Sequence, residues 1–69
     1  MSDRVFKKIE VTGTSSKSVE EAIQNAVAKA SQTLRNLSWF EVVEIRGRID
    51  GSSVQQWQVT VKIGFGLDE

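Results

Sequence analysis

The pair Trp39-Phe40 is the part of this sequence best suited to holding a ligand. An indole is a flat, electron-rich surface, and stacking a second flat ring on it is worth about 0.5–1.5 kcal/mol beyond burial. Gln58 carries both a donor and an acceptor, which suits an imide or pyrimidine edge, and Arg46 carries a planar fork of donors. Taken singly, Trp39 fits a core or interface position equally well, and Arg46 and Gln58 fit a solvated or interface surface. Together they fit a heteroaromatic guest.

Acid–base and nucleophilic chemistry is poorly supplied. The chain has no His and no Cys, so the usual neutral-pH base, the best thiol nucleophile and the commonest soft-metal ligands are missing. Glu41 and Glu44 fall on opposite faces of one predicted strand and cannot work as a pair. Glu20 and Glu21 open a predicted helix, where the macrodipole favours acidic groups. Gly64-Phe65-Gly66 has the look of a glycine-rich loop, but no helix follows it, so it fails as a phosphate loop. The expectation is a binding protein, not an enzyme, with no catalytic residues and no metal.

Composition narrows the partners. Nine basic and nine acidic residues cancel to a formal charge of zero. Nucleic-acid binders draw much of their affinity from a basic excess, so no nucleic-acid partner is expected. Met1-Ser2-Asp3-Arg4 leads into no apolar run of signal-peptide length, and no stretch approaches the length that crosses a bilayer. A soluble, cytoplasmic protein with no membrane partner is expected. At 69 residues the chain suits one domain, residues 1–69, whose core alone gives little stability. Small domains without disulfides or metals lean on partner subunits. Self-association is favoured on these grounds.

The elements that must position Trp39, Arg46 and Gln58 follow from periodicity. Val5, Lys7, Ile9 and Val11 alternate with Phe6, Lys8 and Glu10, the period-2 pattern of a strand, and Gly13 with Thr14-Ser15-Ser16-Lys17 predicts a loop after it. Ser18 and Glu21 have capping-box spacing. From Val19 the apolar residues Ile23, Val27, Ala30, Leu34 and Leu37 mark one amphipathic helix, with Lys29 and Arg35 on its wetter sides and Asn36 and Ser38 at its end. A second strand is predicted from about Phe40 to Ile49, with Val43, Ile45, Gly47 and Ile49 on one face. Val42, Glu44, Arg46 and Arg48 take the other. Asp50-Gly51 predicts a hairpin loop of three to four residues. The third strand starts near Val54, with Trp57, Val59, Val61, Ile63 and Phe65 facing the helix and Gln56, Gln58, Thr60 and Lys62 facing away. The fold class is α+β: a three-stranded antiparallel sheet packed on one helix, in the order β-α-β-β. One short helix cannot cover a third strand roughly 40 Å long, so part of that strand should meet another subunit.

Along nearly its whole length the chain resembles the dodecins. The matching segments are Val5-Phe6-Lys7-Lys8-Ile9-Glu10-Val11, Gly13-Thr14-Ser15, Glu21-Ala22-Ile23 and Trp39-Phe40-Glu41-Val42, then Ile45-Arg46-Gly47, Gln58-Val59-Thr60-Val61 and Gly64-Phe65. The resemblance implies a single dodecin-like domain assembled as a hollow homododecamer of four trimers. It implies six pockets on twofold axes, each holding two flavins between tryptophans of neighbouring subunits. By position, Trp39 is the stacking ring, Gln58 the hydrogen-bond partner of the flavin pyrimidine edge, and Arg46 a residue near the same ligand. FMN is the implied cofactor, riboflavin an alternative. Coenzyme A is a further ligand of some members, with Lys7, Lys29 and Arg35 as candidate phosphate contacts. One departure stands out. Many bacterial dodecins read Gly-Phe-Arg-Leu near the end, and here Gly66 replaces that Arg, so its anion contact is expected to be absent. Trp57 also stands where Tyr or Phe is common, a change of packing volume. The implied function is flavin storage with photoprotective quenching by the indole. The alternatives are an oligomeric assembly protein that binds no flavin, a small nucleic-acid module and, least favoured, a small enzyme.

Overall fold

The computed structural model describes residues 3–67, so Met1 and Ser2 of the N-terminal segment read above lie outside the described residues. Four elements run in chain order: strand β1 (Phe6–Ser15), helix α1 (Val19–Ala30), strand β2 (Leu37–Asp50) and strand β3 (Ser53–Gly66). The three strands form one antiparallel sheet in the order β1-β3-β2, as the alternation predicts.

Helix α1 starts where the sequence says it should. Ser18 is the N-cap, and its hydroxyl accepts from the Glu21 backbone N–H at 3.0 Å. The reciprocal half of the predicted capping box is relayed through another residue. The Ser15 hydroxyl donates to the Glu21 carboxylate and accepts from the backbone N–H groups of Lys17 and Ser18. The helix ends seven residues short of the predicted Leu37. Ser31 caps it, Leu34 closes one more turn onto the Ala30 carbonyl, and Asn36 takes a left-handed φ of 64°. Leu34 and Leu37 keep their apolar phase because they pack under the sheet from a turn and a strand start, not from a helix.

The core is thin. Ala22, Ala26 and Ala30 face Val59, Val61 and Ile63, and Ile9, Val11, Val19, Ile23 and Val27 close the sides. The stripe that seats closest on the sheet is therefore alanine, not the larger Ile23 and Val27. Small side chains bring the helix axis near to β1, and Gly13 completes the approach. A Cβ there would overlap the Ala22 carbonyl oxygen and lie 2.8 Å from Ala26 Cβ. Gly13 was expected in a loop; it is a strand residue opposite Val59, glycine because the helix backbone lies against it.

Irregular pairing corrects the face assignments in β2. Register shifts fall between Leu37 and Trp39, between Val42 and Glu44, and between Arg48 and Ile49. Val43 is the extra residue of the second shift. Val42 consequently pairs with Val61 on the helix side, where the simple alternation put Val43, and Ile45 pairs with Val59. Glu44, Arg46 and Arg48 keep the outward face, opposite Thr60, Gln58 and Gln56. The hairpin loop is also tighter than predicted. Asp50 pairs with Ser53, leaving Gly51 and Ser52 as a two-residue turn, with Gly51 at φ 65° and Ser52 outside the positive-φ region, the sign pattern of a II′ turn.

Candidate functional site

The face of the sheet turned away from α1 carries Trp39, Arg46 and Gln58, whereas Phe40 and Lys7 pair with the helix-side residues Ile63 and Phe65, and Lys29 lies on α1. Trp39 sits just inside β2, paired with Gly64 of the central strand. A Cβ at Gly64 would overlap Cε2, Cζ2 and Cη2 of the Trp39 ring at nearly equal distances. Only a point above a ring face, not beside its edge, is equidistant from three consecutive ring atoms. The indole therefore lies face down on the β3 backbone, and with 40% of the residue exposed, its other face is turned to solvent.

Phe6 and the Lys8–Glu41 ion pair share this end of the outward face with it. Phe6, the first residue of β1, meets the indole edge-on with ring centroids 5.1 Å apart and planes at 61°. The Lys8 ammonium donates to the Glu41 carboxylate at 3.0 Å, reaching diagonally over the central strand beside the ring. Lys8 holds the Glu41 carboxyl below its ordinary range, first by that hydrogen bond and then by its charge, and the Trp39 indole N–H adds to the effect. The indole is thus floored by Gly64 and packed against Phe6, and the residue stays 40% exposed.

Arg46 and Gln58 form a second group. They are direct cross-strand partners on the same outward face. The Gln58 amide donates to the Gln56 side-chain oxygen at 2.9 Å, which orients it along the strand. Gln58 lies six positions along β3 from Gly64. At the usual strand rise that is about 20 Å. The structure brings Arg46 and Gln58 together and does not bring Trp39 to them within one chain. A cavity of about 630 Å³ runs between β1 and α1, and one of about 190 Å³ is lined by Trp39 together with Val27, Leu37, Ser38, Phe40 and Ile63; neither is lined by Arg46 or Gln58.

Comparison with known proteins was decisive for the family. A family model described as Dodecin matches residues 5–68. The chain belongs to the dodecin family. It is 52% identical over 66 residues to the dodecin of Thermus thermophilus, covering 96% of each chain. The solved dodecin of Streptomyces davaonensis superposes with a TM-score of 0.93 at 48% identity, covering 99% of this chain and 100% of that one. A calcium dodecin of Mycobacterium tuberculosis, described as calcium chelating, has a TM-score of 0.79 at 25% identity, covering 93% and 91%. Among the described residues of this dodecin, no cluster of three or more carboxylates is placed to hold a metal ion, and no helix is long and apolar enough to cross a membrane.

Sequence reasoning missed Phe6, Gly64 and the Lys8–Glu41 pair as parts of the site. Phe6 left a usable signal: it is an aromatic on the polar phase of β1, the side opposite Ile9 and Val11. Gly64 left none, since a glycine in a strand carries no chemistry of its own.

Proposed function

We propose that this dodecin binds and stores flavin, with FMN or riboflavin stacked on Trp39, within a symmetric homododecamer. The observation that carries the proposal is the indole seated face down on Gly64 with its opposite face open to solvent. A flat guest finds there a rigid, electron-rich platform that needs no rearrangement to receive it. The same contact accounts for a protective role, because an indole in van der Waals contact with an excited flavin quenches it.

Gln58 supplies the donor and acceptor for the pyrimidine edge, and Arg46, its cross-strand partner, stands beside it. The span of about 20 Å along β3 exceeds one tricyclic ring system. The Trp39 platform and the Gln58–Arg46 pair that serve one flavin therefore belong to different subunits. A twofold axis meets that requirement, since each subunit then offers both halves at once. The carboxylate beside the indole, Glu41, is held in an ion pair by Lys8, which favours reversible sequestration over turnover.

The test is a titration of FMN and riboflavin with the assembled protein while flavin emission is followed. Quenching of both flavins, lost in Trp39→Ala, is expected. Unchanged emission at micromolar protein excess, with the oligomer intact, rejects flavin binding and favours an assembly protein without a flavin. A Trp39→Ala protein that quenches as well as wild type rejects the stacking role alone.

A further inference from the structure

A carboxylate stands beside the aromatic platform, and its placement follows from strand register. Trp39, Phe40 and Glu41 pair in unbroken order with Gly64, Ile63 and Lys62. Trp39 and Glu41 therefore share the outward face one row apart, about 7 Å along the strand. Lys8 pairs with Gly64 from the other side of the central strand. The Lys8–Glu41 ion pair, at 3.0 Å, thus spans β3 between the rows of Lys62 and Gly64. That span runs alongside the indole, which covers Gly64 with Cε2, Cζ2 and Cη2. Cε2 is the atom bonded to the ring nitrogen. Lys8 first, and then the Trp39 N–H and Lys62, hold the Glu41 carboxyl below its ordinary range, so the N–H edge of the ring faces the carboxylate. Phe6, the β1 partner of Gly66, meets the ring from the row on the other side.

We propose that Glu41 tunes the quenching indole: its carboxylate, placed at the N–H edge of Trp39 by Lys8, makes the ring a better electron donor to a stacked flavin. The inference rests on the flavin reading above and deepens it. Glu41 acts through the indole and not on the flavin.

Quenching by an indole moves one electron. The excited flavin takes it from the ring, which leaves a flavin radical anion on an indole radical cation, and its return restores both. No bond forms or breaks, and the N–H proton stays on the ring. The transient positive charge appears next to the Glu41 carboxylate. A fixed negative charge there lowers the free energy of the radical cation and leaves the neutral indole almost untouched. Lys8 works in the opposite direction, because its ammonium offsets part of that charge. Removing one partner of the pair should therefore slow quenching, and removing the other should not. A pair that only braced the ring would give the same sign for either loss.

The test is the excited-state lifetime of FMN bound at saturation to the assembled protein, a readout into which affinity does not enter. Glu41→Gln keeps the shape of the side chain and removes its charge. It should lengthen the lifetime by about two- to five-fold, the scale of one unit charge acting across a water-screened surface. Lys8→Met should leave the lifetime equal to wild type or shorter. In a Trp39→Phe background, Glu41→Gln should change nothing, since the donor it tunes is gone. A lifetime unchanged in Glu41→Gln, lengthened in Lys8→Met, or lengthened by Glu41→Gln without Trp39 overturns the tuning role and leaves flavin binding standing. A wild-type protein that leaves flavin emission as it is in free solution overturns both.

Discussion

At the scale of single residues, the proposed binding surface depends on a position that has no side chain. The Trp39 ring rests where a Gly64 Cβ would stand, so adding that atom must move something. The indole is the far end of a side chain that can rotate, whereas the β3 backbone is fixed by pairing on both sides. Gly64→Ala should therefore tilt the ring and leave the fold. The expected outcome is a loss of about ten-fold in affinity for FMN and riboflavin alike, the scale of losing one stacking contact. The melting temperature should move little. Quenching titrations beside thermal melts check it, and unchanged affinity would show that the ring does not need its floor. Trp39, Arg46 and Gln58 were legible as candidates because their side chains advertise stacking and hydrogen bonding. Gly64 and Phe6 were not, since their roles exist only once β1 and β3 are paired.

At the scale of elements, the sequence was clearest where periodicity and capping agree. All four elements were legible in order and type, and Ser18 marked the helix start to the residue. The helix end was not legible, because Leu34 and Leu37 continue the apolar spacing while lying in a turn and a strand. The β2 faces were misread for a related reason. A bulge is decided by the partner strand, and nothing in the run Val42-Val43 says which valine is the extra one. Gly13 shows the same limit. It reads as a loop former, yet its use is to let α1 approach the sheet. The atoms a Gly13 Cβ would meet are backbone and the short Ala26 side chain, neither of which can swing aside. Gly13→Ala should accordingly cost about 1–3 kcal/mol, the range for overpacking a tight site. Denaturant unfolding under conditions that hold the assembly state constant measures it, and a cost near zero would mean that the helix slides freely on the sheet.

At the scale of the whole molecule, the helix and the hairpin are mismatched in length. Twelve helical residues span about 18 Å, while the fourteen-residue strands β2 and β3 run to roughly 46 Å. The helix packs on β1 and β3, and the helix-side residues of β2 and of the hairpin end are left bare: Phe40, Val42, Ile45, Ile49 and Val54 are each more than 40% exposed. A continuous apolar strip of this kind on a domain of 69 residues marks an interaction surface. Ile45 distinguishes a covered strip from a bare one. It is 53% exposed in the single chain, although its partner Val59 is fully buried. If the strip met only water, Ile45→Glu would change stability by no more than about 0.5 kcal/mol, as surface substitutions do. If a neighbouring subunit covers it, the same change buries an unpaired charge at the contact, which costs several kcal/mol at each copy of the interface. The expected outcome is that Ile45→Glu breaks the assembly into smaller species by light scattering, with a melting temperature that falls as the protein is diluted. Because the proposed flavin site draws its two halves from different subunits, quenching should disappear with the assembly even though Trp39, Arg46 and Gln58 are all intact. A variant with the mass and quenching of wild type would place the subunit contacts elsewhere.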